Sequence, residues 1–456
     1  MFNDIPDKEI LLKEIKFRRP AATESVSMPE INSTIPVGSS ANFWRKIFAF
    51  AGPGFLIAVG YMDPGNWATD LAGGARFGYT LLFVIMISNL MAILLQHLSL
   101  KLGIVTSHDL AQECRYSYSP AFTIFLWVLC EIAIAACDLA EVIGSAVALN
   151  LLCGIPLVVG VVLTAFDVLI VLYLQKKGFR YIEAIVAGLI AIIGFSFLYE
   201  LVLSHPSIPH VLRGFIPDTE IAHNTGMLYI AIGILGATVM PHNLYLHSSI
   251  VQTRQYTRSV SGRKMAIRYA TIDSTSALMI ALFINAAILI LSATVFHGSG
   301  HEDVADINDA YKLLTPLLGA PVASIFFGVA LLAAGQNATL TGTMAGQIVM
   351  EGFLNLRLRP WVRRLLTRMV AIIPAVIVAA LYGDRGVGSL LILSQVILSL
   401  QLSFAVVPLV MFTGNKSKMG EFRNPMFLSI LSWFIAITII LLNGFLLYQF
   451  AFSLFS

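Results

Sequence analysis

Charged residues are what this sequence has least of. Lys, Arg, Asp and Glu together make up 12% of its 456 residues, about half of the ~25% that is typical of soluble domains. Because a water-facing surface needs charge, this scarcity excludes a soluble cytosolic enzyme and a disordered chain. The apolar residue types, at 57%, instead indicate a polytopic membrane protein of all-α architecture.

Cysteine is also scarce, with four residues at positions 114, 130, 137 and 153. None forms a C-x-x-C pair, which excludes the usual zinc and redox motifs, and so few cysteines exclude a disulfide scaffold. Cys130 and Cys137 are interpreted as small buried residues of one helix. The net charge of +3 is too small to predict a nucleic-acid partner, and no motif predicts a cofactor or an obligate protein partner.

Stretches without Lys or Arg predict eleven membrane-spanning helices, because one crossing needs about 20 mostly apolar residues. The predicted spans are 47–72, 80–102, 120–148, 156–174, 182–204, 226–250, 268–296, 320–348, 366–382, 388–412 and 427–452. Residues 1–42 are polar and lack the apolar region of a signal peptide. They are predicted to be a flexible cytoplasmic tail, which is followed by one membrane domain over residues 43–456.

The positions of the basic residues predict the orientation in the cell membrane. With the N-terminus in the cytoplasm, 25 of the 29 Lys and Arg residues fall in cytoplasmic segments and 4 in external ones. This asymmetry is the expected bias of membrane proteins. An odd number of spans then predicts an extracellular C-terminus.

Two predicted spans carry helix-breaking residues in their middle. Span 1 contains Asp63-Pro64-Gly65-Asn66, and span 6 contains Met240-Pro241-His242-Asn243. Proline removes a backbone donor, and glycine loosens the helix. Freed backbone groups are costly in lipid unless they are buried in protein or line a cavity. The two breaks at Pro64, Gly65 and Pro241 therefore predict a site at mid-membrane.

The two breaks also share the pattern x-Pro-x-Asn and start 177 residues apart. Five spans separate them, and an odd offset inverts the second copy relative to the first. This pattern predicts an inverted repeat of spans 1–5 (about 47–204) and spans 6–10 (about 226–412), with helix 11 (about 427–452) outside it. A substrate site is expected where the two repeats meet.

The residue types at the breaks favour a transition-metal ion. Asp63 offers a carboxylate, Asn66 an amide oxygen, Met240 a thioether sulfur and the backbone near Ala237 a carbonyl. A thioether suits softer dications such as Mn²⁺, Fe²⁺, Co²⁺ or Cd²⁺ better than Mg²⁺ or Ca²⁺. A carboxylate at the bilayer centre costs about 2.5–3.5 kcal/mol on insertion scales, which makes a functional role for Asp63 the default interpretation.

Span 3 carries three acidic residues, Glu131, Asp138 and Glu141. Spacings of seven and three place them on one helix face. Buried acids are costly unless they face water, share protons or pair with cations. The stripe therefore predicts either a proton route or a structural ion-pair network, and both interpretations stay open.

Further groups could take part in proton movement. In span 6, His242 lies beside the metal motif and can take up or pass on a proton. His247 lies five residues later, and for this residue a packing role is as compatible with the sequence as a role in proton movement. The candidate cationic partners at the start of span 9 are Arg363, Arg364 and Arg368. Three further acids, Asp167, Glu200 and Asp273, are interpreted as structural.

Three motifs are similar to those of the Nramp family, the natural-resistance-associated macrophage proteins, and in particular to its bacterial proton-coupled divalent metal and manganese transporters. They are GYMDPGNW at residues 60–67, MPHNLYLHS at 240–248, and GQN at 335–337 with GTMAGQIVMEGF at 342–353. The resemblance implies a LeuT-like fold of ten helices in an inverted repeat plus an eleventh. It also implies uptake of Mn²⁺ and Fe²⁺, together with Cd²⁺ and Co²⁺, by proton symport with alternating access.

The same resemblance implies roles for individual residues. Asp63, Asn66, Met240 and the Ala237 carbonyl correspond to metal ligands, and Gln395 in span 10 corresponds to a residue that joins them when the site is occluded, although Gln401 lies nearby. A proton route from Asp63 through span 3 to an arginine of span 9 is likewise implied. The methionine favours the transition-metal branch of the family.

Two other functions compete with this interpretation. A sodium-coupled amino-acid symporter of the same architecture would bind a substrate carboxylate at a broken helix, where Asp63 would repel it. A passive metal channel would move metal without protons. A membrane-embedded hydrolase is not predicted, because Ser299 and His301 lie in a loop and neither G-x-S-x-G nor H-E-x-x-H is present. The sequence therefore predicts a protein that is not an enzyme.

Overall fold

Long helices make up nearly all of the computed structural model, which describes residues 27–37, 42–167, 173, 178–300, 307–318, 322–356 and 358–455. The α-helices, numbered in chain order, are α1 (Phe43–Phe50), α2 (Pro53–Gly60), α3 (Pro64–Phe77), α4 (Leu82–Thr106), α5 (Leu110–Ser117), α6 (Pro120–Cys153), α7 (Leu157–Leu163), α8 (Phe179–Ser204), α9 (Ile208–Gly214), α10 (Glu220–His223), α11 (Thr225–Thr238), α12 (Pro241–Ile250), α13 (Val260–Val295), α14 (Ile307–Leu318), α15 (Ala323–Leu354), α16 (Pro360–Gly414), α17 (Lys416–Met419) and α18 (Met426–Phe455). Short 3₁₀ turns are formed by Thr164–Phe166, Val251–Thr253 and Gly420–Phe422.

Among the described residues, eight helices are long and apolar enough to cross a membrane. The other three predicted spans are also present as apolar helices. Span 1 is divided into α2 and α3, and spans 4 and 9 correspond to the shorter apolar segments Leu157–Phe166 and Leu365–Val378. Spans 9 and 10, predicted as separate helices, lie in the single helix α16.

The first span is preceded by a separate short helix, α1, whose C-terminal carbonyls are capped by two arginines. Arg180 donates to the carbonyl of Ala51 at 2.6 Å, and Arg254 donates to the same oxygen at 2.7 Å. The last carbonyls of a helix lack intrahelical donors and carry partial negative charge. Two guanidinium groups therefore satisfy this helix end. Glu183 holds the buried Arg254 in place through an ion pair of 2.6 Å.

The N-terminus of α2, which follows immediately, is capped by Asp273 of α13. One carboxylate oxygen accepts from the backbone of Gly52 at 3.2 Å, and the other accepts from Gly54 at 2.7 Å. Gly52 has φ +136°, a conformation that L side chains rarely adopt. Asp273, interpreted from the sequence as structural, thus supports the joint between α1 and α2.

Glycine lets α6 approach its neighbours closely. A Cβ on Gly144 would overlap the ring of Pro64 in α3, and a Cβ on Gly335 of α15 would overlap Oγ of Ser145 in α6. Small residues at helix crossings permit this approach in membranes. The break in span 1 is therefore packed directly against the helix that carries the acidic stripe.

Part of the predicted flexible tail is ordered. Residues 1–26 and 38–41 lie outside the described residues, but Ser27–Val37 packs onto the bundle. Its strand β1 (Ile35–Pro36) pairs in parallel with β2 (Arg254–Gln255), with Ile35 opposite Arg254. The sequence does not predict these long-range contacts, because the segment has little local structural preference.

We predict that Gly144→Ala lowers stability by about 1–3 kcal/mol, the usual cost of overpacking, because the new methyl group meets the rigid ring of Pro64. Thermal unfolding in detergent measures the effect. Gly188→Ala is the matched control, since a Cβ there meets nothing within 4 Å. Equal melting temperatures for the two variants would contradict the close packing of α6 and α3.

Candidate functional site

The break in span 1 is organised by Asp63. Its carboxylate is the N-cap of α3 and accepts the backbone N–H of Asn66 at 2.8 Å. Pro64 takes the first helical position, where the N–H that proline lacks would have no intrahelical partner. The carboxylate therefore caps the N-terminus of the helix that follows the break. The exposed fraction of Asp63 is 0%.

The break in span 6 lies between α11, which ends at Thr238, and α12, which begins at Pro241. Met240 is the N-cap of α12 but provides no side-chain hydrogen bond to it. The Ala237 carbonyl belongs to the last turn of α11, where carbonyl groups lack intrahelical donors. This break therefore offers backbone oxygen and leaves its methionine side chain available.

Asn66 connects the two breaks. Its amide nitrogen donates to Oδ1 of Asp63 at 2.7 Å, to the Gly60 carbonyl at 3.1 Å and to the Ala237 carbonyl at 3.3 Å. Three oxygens from both broken helices thus converge on one small polar group. The structure brings together Asp63, Asn66 and Ala237 as the sequence predicts.

Met240 and Gln395 complete the buried surroundings. Met240 is fully buried in a small cluster with Ala133, Cys137 and Leu398. The Gln395 side chain packs so closely on Gly65 that a Cβ there would overlap its amide. Gln395, and not Gln401, is therefore the glutamine of α16 placed against the break in span 1.

The next residues of α12 are also fully enclosed. His242 is 2% exposed and Asn243 0%. The amide of Asn243 donates to the Ile57 carbonyl at 3.4 Å, while His242 lies within electrostatic reach of Asp138 on α6. The histidine predicted to move protons is therefore buried within the metal motif.

The acidic stripe divides into two parts. Asp138 and Glu141 both face Gly342 of α15, where an added Cβ would lie 3.5 Å from Oδ1 of Asp138 and 2.8 Å from Oε1 of Glu141. Glu131 is half-buried and accepts from the indole of Trp127 at 3.1 Å. Glu131 thus does not join the other two carboxylates in this contact.

Arg368 is the span 9 arginine that meets the acids. It is 1% exposed, donates to the Asp138 carbonyl at 3.3 Å and pairs with Glu141 at 3.4 Å. It also pairs with Asp167 and donates to Oγ1 of Thr339 at 2.7 Å. Asp167, interpreted from the sequence as structural, thus shares this arginine. The side chains of two further candidates lie outside the described residues: Arg363 and Arg364.

Cys137 occupies a position that the sequence interpretation missed. Its sulfur lies 4.0 Å from Oδ2 of Asp63 and 3.7 Å from Oε1 of Glu141. The signal available in the sequence was its spacing of four residues before Glu141, which puts both on one helix face. The thiol joins the break in span 1 to the acidic residues of α6.

His247 lies in a different network from His242. Its Nδ1 is 2.9 Å from Oε1 of Gln96, and the amide nitrogen of Gln96 donates to the hydroxyl of Tyr61 at 2.9 Å. These contacts connect α12 to α4 and to the end of α2. His247 is therefore placed with polar neutral groups, apart from the acids of α6.

The fold and the site together define a class of protein. Two half-helix pairs meeting at a buried polar centre are the hallmark of secondary transporters with inverted repeats. The fold matches Mhp1, a nucleobase-cation-symport-1 family transporter, with a TM-score of 0.54 at 13% identity, covering 86% of this chain and 81% of that one. This likeness confirms the predicted LeuT-like architecture.

The family follows from closer matches. The family model described as natural resistance-associated macrophage protein-like, Nramp, matches residues 54–449. The "Divalent metal cation transporter MntH" of Listeria welshimeri is 63% identical, covering 94% of this chain and 95% of the relative. A manganese transporter structure from Eremococcus coleocola has a TM-score of 0.86 at 43% identity, covering 92% and 90%. The chain belongs to the Nramp family, which confirms a transport protein and not an enzyme.

We predict that Arg368→Ala lowers stability by about 3–5 kcal/mol, because removing one partner of a buried ion pair leaves an uncompensated charge. Thermal unfolding in detergent measures the loss. Arg180→Ala is the matched control, since that side chain is 46% exposed.

Adding Asp167→Asn to Arg368→Ala is expected to restore part of the lost stability, because it removes one of the carboxylates left unpaired. If the double variant were no more stable than Arg368→Ala, Asp167 would not be an ionised partner of this arginine.

Proposed function

We propose that this protein imports divalent transition-metal ions, Mn²⁺ and Fe²⁺ and also Cd²⁺ and Co²⁺, by proton symport with alternating access across the cell membrane. Its N-terminus lies in the cytoplasm and its C-terminus outside, according to the positive-inside rule. The observation that carries the proposal is the meeting of the Asp63 carboxylate, the Asn66 side-chain amide and the Ala237 carbonyl at two helix breaks, with the buried Met240 at the second break. The names of the relatives, a divalent metal cation transporter and a manganese transporter, agree with it.

The geometry around Asn66 suits exchange of a donor for a cation. At present the Asn66 amide N–H groups are the positive partner of the Asp63 carboxylate and of the Gly60 and Ala237 carbonyls. A dication entering among these oxygens takes over that role. The amide can then turn about its last torsion and present Oδ1 to the ion, because the two ends of an amide have nearly the same shape.

The direction of the half-helices supports cation binding. The C-terminal ends of α2 and α11 supply carbonyl oxygens and partial negative charge at the site. The N-terminal end of α3 would repel a cation, but the Asp63 carboxylate caps it. Once Asp63 is deprotonated, the break in span 1 therefore presents net negative charge to the substrate.

A sequence of contacts leads from the site to a buried arginine. It runs from Asp63 through Cys137 to Glu141 at 4.0 and 3.7 Å, and from Glu141 to Arg368 at 3.4 Å. A proton displaced from Asp63 by the metal can leave along these groups or through His242 and Asp138. The inside-negative potential contributes about 2.3 kcal/mol per charge per 100 mV and favours inward movement of both ions.

The site is closed toward both sides of the membrane in this structure. Asp63, Met240 and Gln395 are 0% exposed, and Asn66 is 1% exposed. Substrate can therefore enter and leave only after the broken helices tilt relative to the rest of the bundle, as in other inverted-repeat transporters.

The rival functions fit the site less well. An amino-acid symporter needs a positive partner for the substrate carboxylate, whereas Asp63 places a carboxylate at the break. A passive channel needs no buried ion pair such as Glu141–Arg368 beside its pathway. Sodium-dependent amino-acid uptake would favour the first rival, and metal flux without proton movement the second.

We predict that Met240→Ala lowers the preference for Mn²⁺ and Cd²⁺ over Ca²⁺ by about tenfold, equivalent to about 1.4 kcal/mol, and affects overall activity less. The reason is that the substitution removes the thioether, a soft donor, from the break in span 6. Uptake competition in proteoliposomes measures the ratio. Met227→Ala, a buried methionine of the same span, is the control. Unchanged discrimination in Met240→Ala would refute the role of the sulfur.

We also predict that Mn²⁺ entry into proteoliposomes acidifies the lumen, because metal and proton move inward together. A pH-sensitive dye inside the vesicles reports this. Metal entry without acidification would disprove coupling while leaving metal transport intact.

Glu141→Gln is expected to reduce the acidification per Mn²⁺ at least severalfold, since the neutral amide neither carries the proton onward nor pairs with Arg368. Glu131→Gln is the matched variant, because Glu131 lies on the same helix but contacts Trp127 instead. Full acidification in Glu141→Gln would place the proton route elsewhere.

A further inference from the structure

The segment Ser27–Val37, here called the strap, lies across the end of the bundle at which Arg254 is found. Met28 is 4% exposed and belongs to the main hydrophobic core. Its φ of +50° is uncommon for a residue other than glycine. A buried side chain on a left-handed backbone indicates a specifically docked segment.

Two buried carboxylates hold the start of the strap. The Ser27 hydroxyl donates to Oδ2 of Asp109 at 2.5 Å, and the Met28 N–H donates to Oε2 of Glu351 at 2.9 Å. The other oxygen of each acid is used within the bundle, by the backbone N–H of Gln112 and by the Gln347 amide. One oxygen of each carboxylate therefore accepts a hydrogen bond from the strap.

Docking has an opposing cost. Asp109 precedes α5, in the connection between spans 2 and 3. Burial raises the pKa of its carboxyl to about 6, and the hydrogen bonds from Ser27 and Gln112 lower this pKa by a smaller amount. The rise reflects lost hydration of the charged form. Undocking would return water to this carboxylate and offset part of the lost contacts. The balance of these effects suits a reversible contact.

The end of the strap is bonded to the chain that follows span 6. The Ser33 N–H donates to the Gln252 carbonyl at 3.0 Å, and the Val37 N–H donates to the Gln255 carbonyl at 3.0 Å. The strap thus connects the end of span 6 with Asp109, and with Glu351 in the last turns of α15. A few residues later the chain enters α1 and the first half of span 1.

From these contacts we infer that the strap holds the cytoplasmic side of the transporter closed and must undock before substrate is released inward. The inference depends on the proposed function, in which spans 1 and 6 move relative to the rest of the bundle. A segment bonded both to the end of span 6 and to the end of span 8 opposes that movement while it stays docked.

The test is to fix the strap in place by a cross-link. Ser27→Cys and Asp109→Cys are combined with Cys153→Ser, because the other three cysteines are buried. A short, reducible bifunctional thiol reagent then joins the two new cysteines. Mn²⁺ uptake by the cross-linked protein is expected to fall at least tenfold relative to the same protein before cross-linking, and to recover on reduction. Undiminished uptake after complete cross-linking would overturn the inference.

The control pair is Asn415→Cys with Ser417→Cys, two exposed residues that are hydrogen-bonded to each other in the connection after α16. Cross-linking this pair is expected to leave uptake unchanged. An equal loss with both pairs would overturn the inference, because the effect would then not depend on the strap.

Release of the strap gives the complementary measurement. Ser27→Ala removes the donor to Asp109 without touching the substrate site, and it is expected to increase severalfold the rate at which a thiol reagent labels Met28→Cys in the same chain. Unchanged labelling would show that Ser27 does not hold the strap.

The outcomes also separate this inference from the proposed function. If wild-type vesicles take up no Mn²⁺, the proposed function fails. If wild-type and cross-linked protein both take up Mn²⁺ equally, only the inference fails. Mn²⁺ binding by the cross-linked protein in detergent is expected to persist, because neither new cysteine replaces a residue of the proposed substrate site.

Discussion

The Asp63 carboxylate lies in the middle of a membrane span, where every polar group must find its partner inside the protein. It finds partners in the next turn of its own helix, where it accepts both the backbone N–H and the side-chain amide of Asn66. The same amide reaches the Ala237 carbonyl of the second broken helix. Two hydrogen-bonded side chains thus act together: the Asp63 carboxylate restarts the helix, and the Asn66 amide partners that carboxylate and joins the two repeats. The candidate substrate site therefore coincides with the hydrogen bonds that satisfy the break.

The sequence predicts this centre well because each of its parts has a local signal. Proline and glycine mark the breaks at Pro64 and Pro241, and the absence of Lys and Arg marks the spans. The acids of span 3 share a helical face, and Asp138 and Glu141 do lie together against Gly342. The same pattern did not distinguish Glu131 from these two acids, although Glu131 accepts a hydrogen bond from Trp127. Periodicity gives the face of a helix but not the neighbour that this face meets.

Features that depend on distant contacts could not be predicted in this way. Cys137 has no motif, and its place between Asp63 and Glu141 follows from how closely α6 packs on α3. Asp167 and Arg368 are 201 residues apart in the chain, and nothing local relates them. The strap has a polar, proline-containing sequence that favours no regular structure, and its order comes from partners 82 and 323 residues away. Burial by other segments decides these cases, and a single sequence does not contain that information in local form.

The two joints of span 1 differ in a way that bears on movement. The joint at Asp63 is capped from within α3, so its hydrogen bonds travel with the helix when it tilts. The joint at Gly52 is capped from other helices, by Asp273 on one side and by Arg254 and Arg180 on the other. A tilt of α2 must therefore carry these partners along or exchange them for water, which is present only at the membrane surface. The joint at Asp63, whose hydrogen bonds lie within α3, is at mid-membrane, where no water can replace them. The joint at Gly52, which depends on other helices, is near the end of the bundle, where water can replace the partners that a tilt removes.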